Sequence, residues 1–311
     1  MILTTKTMDS LLGRSDERYF GDVFRGFFIR ILSMEQHADR LTGQLKVDYI
    51  GPRRPHGESP HLGSIEYTAL AMRLAAHTLN RLGKINIADT NRAFLRHYEF
   101  SGKEILYTGT HPFCCRLLSS EMDLQSTQGS TSVFEIAIDS SRTRVTIDHR
   151  GGSRYLKLPE KETLSVALEQ LYSAGYKYTA LDIGPVKTDV HAQQISAPIT
   201  YSYLLGANSL HGIGSARDAL LATDAIRVFG QLMQVLLYEL ENSDRHNCAN
   251  IWLRRMELRS ERPLFTGEAK ASVRFENIRK ISKGDNNWKL VALSGTVGNF
   301  FGKFEVAYQV T

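Results

Sequence analysis

The stretch Ala219–Glu241, ALLATDAIRVFGQLMQVLLYELE, is the one long, strongly apolar helix that this sequence predicts. At about 100° per residue, the larger apolar residues share one side of the helix and the polar residues form a narrow stripe on the other. The apolar side carries Ile226, Phe229, Met233, Leu236, Leu237 and Leu240, and the stripe carries Asp224, Arg227, Gln231, Gln234 and Tyr238. Such a stripe is typical of a solvated helix face, yet an acid and an arginine three residues apart also suit a chemical site.

A second stretch, His61–Leu82, repeats this design. Its apolar side carries Ile65, Ala69, Met72, Ala76 and Leu79, and its polar side carries Glu66, Arg73, His77 and Asn80. A loop rich in Gly and Pro precedes the first helix (GPRRPHGESPHLGS, residues 51–64), and a Gly-rich loop precedes the second (GANSLHGIGS, residues 206–215). Two similar helices in 311 residues predict two similar domains, each large enough for its own core.

Alternating apolar and polar residues predict strands before each helix and several more after it. The predicted strands are Gln44–Ile50, Ile85–Phe100, Glu104–Glu121, Thr131–Asp139 and Arg142–His149 in the first half, and Tyr176–Ile183, Gln194–Tyr203, Asn250–Arg259, Glu268–Ile278, Trp288–Val297 and Lys303–Val310 in the second. Residues 1–20 are expected to form a short leader, either ordered or frayed, and Pro159 begins a connecting helix near Pro159–Ala174. These patterns predict an α+β fold with an N-terminal domain at residues 1–160, a connecting segment at 161–190 and a C-terminal domain at 191–311, each with an antiparallel sheet wrapped around a long central helix.

Composition excludes several classes of function. The net charge of +5 is mild and its basic residues are scattered, so nucleic acid is not an expected partner. The three cysteines, Cys114, Cys115 and Cys248, match neither a disulfide framework nor a zinc spacing, and we expect reduced thiols and no metal. No apolar run is long enough to span a membrane and no secretory signal is evident, which predicts a cytoplasmic protein. No nucleotide-binding or hydrolase motif is present, and no cofactor is expected.

The two helix beginnings carry a family resemblance. A helix that follows a loop and is wrapped by an antiparallel sheet resembles the hot-dog fold of acyl-thioester enzymes, and two copies resemble a double hot dog. The segment PHLGSIEYTALAMR is similar to a dehydratase pattern with Glu66 at the acid, and HGIGSARDALLATDAIRVFGQ is similar to the corresponding helix of the A-factor synthase family, with Asp224 and Arg227 at its acid and arginine. Asp224 stands where that family has Glu.

Over the whole chain the sequence resembles the avirulence protein D family of plant-pathogenic pseudomonads. The segments TTKTMDSLLGRSDERYFG (residues 4–21) and GPRRPHGESPHLGSIEYTAL (residues 51–70) carry this resemblance. It implies formation of syringolide-type acyl-sugar elicitors, by transfer of a β-ketoacyl group from an acyl-carrier-protein or coenzyme A thioester to a xylulose-type sugar or its phosphate.

The resemblance implies roles for particular residues. Glu66, whose pKa burial would raise, is expected to act as base or proton donor, and Arg227 to stabilise an oxyanion with Asp224 orienting it. We expect the substrate to be bound by Asp224 together with His61, His211, Arg73, Gln231 and Arg53. Glu66 could instead cap its helix, Arg227 could merely pair with Asp224, and both histidines could be ordinary loop residues.

Three functions therefore remain open from the sequence. The acyltransferase is preferred, and a hydroxyacyl-thioester dehydratase or thioesterase is the alternative in another reaction class. The third is a non-enzymatic, lipid-binding avirulence effector. A homodimer is compatible with all three.

Overall fold

The computed structural model describes most of the chain, including both long helices and the strands around them. The described residues are 6–52, 59–82, 85–102, 104–121, 130–149, 171–203, 210–215, 219–244, 251–261, 263–264, 267–283 and 286–310. Arg53, Cys248 and most of the predicted connecting helix, residues 159–170, lie outside these ranges, and residues 171–174 form a turn.

Four α-helices and thirteen strands form the described part of the chain. The helices are α1 (Met8–Leu12), α2 (Ser64–Arg81), α3 (Ile87–Arg92) and α4 (Ala222–Glu241). The strands are β1 (Phe27–Gln36), β2 (Arg40–Tyr49), β3 (Phe94–Ser101), β4 (Gly109–Glu121), β5 (Ser130–Ile138), β6 (Ser141–His149), β7 (Thr179–Ile183), β8 (Lys187–Asp189), β9 (Gln194–Tyr203), β10 (Ile251–Ser260), β11 (Glu268–Lys283), β12 (Asn286–Val297) and β13 (Phe300–Val310).

Each long helix packs on the strands of its own half. Helix α2 contacts β1, β4, β5 and β6, and α4 contacts β7, β9, β11, β12 and β13. The two helices also contact each other. The large buried apolar side chains of both helices enter one continuous core, in which Ile65 and Leu232 are fully buried. The coarser part of the fold prediction, an antiparallel sheet with few helices packed on it, is therefore confirmed.

The prediction of two antiparallel sheets, one around each helix, is not confirmed. The described strands pair in the order β1-β2-β4-β5-β6-β3-β10-β13-β12-β11-β9-β7, with β8 on β9, so they form one 13-stranded sheet. The two halves join where β3 pairs antiparallel with β10, for example Glu99 opposite Glu257. Joining removes two exposed sheet edges, because the backbone groups of β3 and β10 satisfy each other. The domain boundaries 1–160, 161–190 and 191–311 stay a prediction.

Residues 85–100 also differ from the prediction of a continuous extended segment. They contain helix α3 before β3 begins at Phe94. The Asn86 side chain caps this helix by accepting a hydrogen bond from the Asp89 N–H (2.8 Å), and the Thr90 hydroxyl donates to the Asn86 carbonyl (2.9 Å). Asn, Asp and Thr form such local hydrogen bonds readily, and they start a helix here despite the alternating apolar pattern.

The leader is folded rather than frayed over its described residues. Helix α1 packs on α4, and Met8 and Leu12 are buried. Arg18 is also buried and donates to the Met8 carbonyl (3.1 Å) and the Asp9 carboxylate (2.6 Å). These contacts hold residues 19–22 at a defined position against the two long helices. No helix in the described ranges is both long and apolar enough to cross a membrane.

Candidate active site

Glu66 lies in the first turn of α2 and is fully buried. Its Oε2 accepts a hydrogen bond from the N–H of the N-cap residue Gly63 (2.9 Å), which is the carboxylate half of a capping box. The Tyr19 hydroxyl donates a second hydrogen bond to the same oxygen. The helix-capping role considered for Glu66 is therefore observed. Ser64 is the first residue of the helix.

Asp224 and Arg227 form a buried ion pair in the first two turns of α4. Arg227 Nη1 lies 3.3 Å from Asp224 Oδ1, and the two side chains are 4 % and 1 % exposed. Thr179, the first residue of β7, donates its hydroxyl proton to Asp224 Oδ1 (2.7 Å) and accepts from Arg227 Nη1 (3.2 Å). The polar stripe of α4 is thus not a solvated face at this end of the helix.

Burial acts against both charges of this pair. It raises the pKa of Asp224, which the Arg227 charge and the Thr179 hydrogen bond oppose. It also lowers the pKa of Arg227, which the Asp224 charge opposes, and an arginine guanidinium keeps its proton in proteins. The Arg227 guanidinium also lies over the Phe24 ring, 4.8 Å from its centre. Because burying an ion pair is costly, it is weak evidence for a purely stabilising role.

Two polar atoms of the pair are left over. Arg227 Nε and Asp224 Oδ2 are buried and have no hydrogen-bond partner among the described residues. Unsatisfied buried polar atoms are costly and uncommon in folded proteins, and they suit a site where a ligand supplies the missing partner. Arg227 Nε is a donor, so the partner it lacks is an acceptor such as an oxygen atom.

Residues Tyr19, Phe20 and Gly21, here called the bridging segment, contact both helices. Tyr19 bonds Glu66 on α2, the Gly21 carbonyl accepts from Arg227 Nη2 on α4 (3.2 Å), and the Phe20 carbonyl accepts from Gln231 Nε2 (3.1 Å). The structure thus brings Glu66, Arg227 and Gln231 together around one segment of three residues. Sequence reasoning missed Tyr19 and Thr179, because neither belongs to a helix stripe.

The bridging segment lies against two glycines, the N-cap residue Gly63 of α2 and Gly230 inside α4. A Cβ on Gly63 would collide with the Tyr19 hydroxyl, and a Cβ on Gly230 would lie 2.5 Å from two carbons of the Phe20 ring. Glycine inside a helix costs about 1 kcal/mol relative to alanine, so a mid-helix glycine usually has a packing reason. Gly230 was the available signal in the sequence for a close neighbour at this point.

Arg73, Tyr176 and Lys177 belong to the surroundings of Glu66. Burial raises the pKa of Tyr176 well above 10, the negative charge of Glu66 adds to this, and Arg73 opposes it. Burial lowers the pKa of Lys177, which Glu66 opposes. Lys177 donates to the Phe27 carbonyl, and Arg73 Nη1 donates to the Ile29 carbonyl (3.0 Å). Both cations are thereby held at the beginning of β1.

The two candidate histidines have other neighbours. The His61 ring stacks on Trp252 with 5.3 Å between ring centres, and its Nδ1 donates to the Ser59 carbonyl (3.1 Å). His211 Nδ1 accepts from the Asn91 side chain of α3 (3.2 Å). These contacts are those of packed loop residues, and a role of either histidine in binding stays a prediction. Arg53 lies outside the described residues.

The thiols and a possible metal site offer no competing chemistry. Cys115 is buried in β4, which raises the pKa of its thiol to about 12 and leaves it protonated and unreactive. His111, four positions earlier in the same strand, hydrogen-bonds the Asp139 carboxylate through Nδ1 (2.6 Å) and the Tyr107 carbonyl through Nε2 (2.8 Å). In the part of the chain that the structure describes, no three His, Cys, Asp or Glu side chains come together as metal ligands.

The family model described as Pseudomonas avirulence D protein (AvrD) matches residues 4–310. The chain belongs to the AvrD family. The match covers nearly every residue of this AvrD-family chain, including both long helices and the bridging segment, and it confirms the resemblance that residues 4–21 and 51–70 carry. The comparison with curated protein sequences found no match.

Solved structures of low similarity align with this AvrD-family chain over most of its length. The tesB protein of Mycobacterium avium subs paratuberculosis has 10 % identity, covers 94 % of this chain and 100 % of its own, and has a TM-score of 0.44. A conserved protein with a hot-dog fold from Alicyclobacillus acidocaldarius has 11 % identity, covers 94 % of this chain and 98 % of its own, and has a TM-score of 0.42. The 12:0-ACP thioesterase from Umbellularia californica has 8 % identity, covers 94 % of this chain and 99 % of its own, and has a TM-score of 0.41. Because these TM-scores are below 0.5, the architecture rests on the strand order given above.

Proposed function

We propose that this protein is an acyltransferase that moves a β-ketoacyl group from an acyl-carrier-protein or coenzyme A thioester to a hydroxyl of a xylulose-type sugar. The products would be syringolide-type acyl sugars or the butenolides that form from them. Membership of the AvrD family supports this class of product. The observation that carries the proposal is the convergence of a buried carboxylate, Glu66, and a buried guanidinium, Arg227, from two helices on one bridging segment.

The chemistry needs one base and one oxyanion donor. Glu66 would take the proton of the sugar hydroxyl as its oxygen attacks the thioester carbonyl carbon and the new C–O bond forms. The negative charge that develops on the carbonyl oxygen would be stabilised by Arg227, whose Nε is the donor still available. The C–S bond would then break, and the departing thiolate would take the proton back from Glu66. Atoms and charges balance without a cofactor.

Both groups are buried, and this affects how substrate could reach them. Glu66 is 0 % exposed and Arg227 is 3 % exposed. In the proposed mechanism, the Phe20 side chain shifts when substrate binds and the substrate takes its place, while the hydrogen bonds from Tyr19 to Glu66 and from Arg227 to Gly21 remain. Exclusion of water by such a fit would also favour transfer to the sugar over hydrolysis.

The decisive assay uses purified protein with a 3-oxooctanoyl or 3-oxodecanoyl thioester, with and without xylulose or xylulose 5-phosphate, and reads products by mass spectrometry. An ester or butenolide mass that requires both substrates supports the proposal and identifies the acceptor. A free acid or an enoyl product formed without sugar would refute it in favour of a thioesterase or dehydratase. No turnover, with elicitor activity from the protein alone, would refute it in favour of an effector.

The assignment of residues needs variants that change the buried site as little as possible. Arg227→Ala would leave Asp224 buried without its cation, which typically costs about 3–5 kcal/mol of stability. Arg227→Lys keeps the charge and loses the fork of donors, and Glu66→Gln keeps the shape and loses the base. We expect each to lower turnover at least about 100-fold.

Glu241→Gln is the matched control. Glu241 is also a partly buried carboxylate on a long helix, and it accepts a hydrogen bond from the Tyr308 hydroxyl (3.0 Å) and pairs with Lys289. It lies at the last residue of α4, away from the bridging segment. Normal turnover in Glu66→Gln, with folding intact, would remove Glu66 from the mechanism, and equal losses in Glu66→Gln and Glu241→Gln would indicate a general structural effect.

A further inference from the structure

Tyr19 of the bridging segment lies near the start of the sequence, and its side chain reaches the buried carboxylate of Glu66 on α2. Tyr19 makes two hydrogen bonds through one oxygen. Its hydroxyl donates to Glu66 Oε2 and accepts from the Ile65 N–H (3.3 Å). The Ile65 N–H belongs to the first turn of the helix, so the phenol is fixed by the backbone on one side and by the carboxylate on the other.

We propose that Tyr19 is a positioning residue of the site, which holds the Glu66 carboxylate in one orientation and favours its charged form. This inference deepens the proposed function and rests on it for the role of Glu66 as a base. A hydrogen bond donated to a carboxylate stabilises the charged form, and a carboxylate held by two donors loses the freedom to rotate. Tyr19 would act through Glu66, without bonding the reacting atoms itself.

The position of Tyr19 is set by packing on both helices. The absence of a side chain at Gly63 leaves room for its hydroxyl, and the absence of one at Gly230 leaves room for the neighbouring Phe20 ring. The Tyr19 and Phe20 rings meet edge to face, with 4.9 Å between their centres. Two residues on, the Gly21 carbonyl bonds Arg227. The same short segment therefore sets the orientation of the proposed base and of the proposed oxyanion donor.

Other charged and titratable groups near Glu66 do not replace Tyr19 in this role. Tyr176 stays neutral because burial and the Glu66 charge both raise its pKa. Lys177 interacts with Glu66 through its charge, while its ammonium donates to the Phe27 carbonyl. Arg73, on the same helix, is bonded to the Ile29 carbonyl. Tyr19→Phe therefore removes the hydrogen bond to Glu66, together with the one from the Ile65 N–H, and leaves the hydrogen bonds of Lys177 and Arg73 in place.

The test compares Tyr19→Phe with Tyr308→Phe. Tyr308 is buried and donates to Glu241, so its variant removes the same type of tyrosine-to-carboxylate hydrogen bond at a distant place. In protein labelled with ¹³C at the glutamate carboxyl, the Glu66 signal is assigned by its absence in Glu66→Gln. We expect Tyr19→Phe to raise the pH midpoint of the Glu66 signal by about one unit, and Tyr308→Phe to leave it in place.

This measurement needs no substrate, so it separates the two proposals. An unchanged Glu66 midpoint in Tyr19→Phe, or an equal change in Tyr308→Phe, would overturn the role of Tyr19 even if the enzyme proves to be an acyltransferase. Absence of product from the unmodified protein would overturn the proposed function, whatever the carboxyl signal does. With active enzyme, we expect Tyr19→Phe to lower kcat about tenfold, to change KM by less than about twofold, and to move the acid limb of kcat/KM to higher pH.

Gly63→Ala provides an independent check if Tyr19→Phe folds poorly. The N-cap backbone at this position is extended, with φ of −104°, so alanine is tolerated by the backbone, and the three atoms nearest to the added Cβ all belong to the Tyr19 side chain. The new methyl group should displace the phenol from Glu66 and reproduce the change in the carboxyl signal. A Glu66 signal unaffected by Gly63→Ala would contradict the proposed contact.

Discussion

Gly230→Ala tests whether the bridging segment is seated on α4, because the sign of its effect depends on Phe20. In an open helix, alanine would stabilise the protein by about 1 kcal/mol over glycine. A Cβ at Gly230 would lie 2.5 Å from two carbons of the Phe20 ring, whereas carbon atoms in contact lie about 3.5–4.0 Å apart. The ring would have to retreat by about 1 Å, and such overpacking costs about 1–3 kcal/mol. We therefore expect Gly230→Ala to lower the free energy of unfolding by about 1 kcal/mol.

The assay is urea unfolding at pH 7 of the parent protein, Gly230→Ala, Phe20→Ala and the double variant. Once Phe20 is truncated, the added methyl group meets no ring, and Gly230→Ala should then stabilise by about 1 kcal/mol. The cycle predicts a coupling free energy of about 2 kcal/mol between the two positions. If Gly230→Ala alone stabilises the protein, or if the two changes are additive, residues 19–21 do not lie on α4 as described.

Two further predictions follow from the buried polar groups. Thr179→Val removes the hydroxyl that bonds both Asp224 and Arg227, and it should lower the free energy of unfolding in urea by about 1–3 kcal/mol. The control is Thr188→Val on the short strand β8, which should change the free energy of unfolding by less than about 0.5 kcal/mol. Burial lowers the pKa of His77 from 6.5 to about 4, so on acidification the unfolded chain takes up the His77 proton at a higher pH than the folded protein does. The free energy of unfolding should therefore fall as the pH drops from about 6.5 to about 4, by at most about 3 kcal/mol. His77→Gln should remove that part of the acid sensitivity, and an unchanged dependence of stability on pH would show that His77 is not buried in its neutral form.

The sequence alone predicted the elements that depend on local pattern. The apolar spacing in residues 219–241 and 61–82 identified α4 and α2 to within three residues at each end, because a helix that buries one side needs apolar residues every three or four positions. Alternation likewise identified β5 and β6. It failed at residues 87–92, where side-chain capping by Asn86 outweighs the apolar pattern.

The candidate site was predictable only in part. Glu66, Asp224 and Arg227 were recognised because they occupy polar positions on helices whose other residues are apolar. The pattern could not tell whether the stripe on α4 faces water or protein, since both need the same spacing. Thr179 and Gly21 decide that question, and they lie 45 and 203 residues before Asp224 along the chain.

What the sequence by itself determined is thus the two long helices, most of the strands, the family, and the polar residues on each long helix. What only the tertiary structure decided is the joining of β3 to β10 into one sheet, and the meeting of Tyr19 with Glu66 and of Gly21 with Arg227. The physical reason is that periodicity records which side of an element is buried, whereas the identity of the partner depends on contacts between residues far apart in the chain.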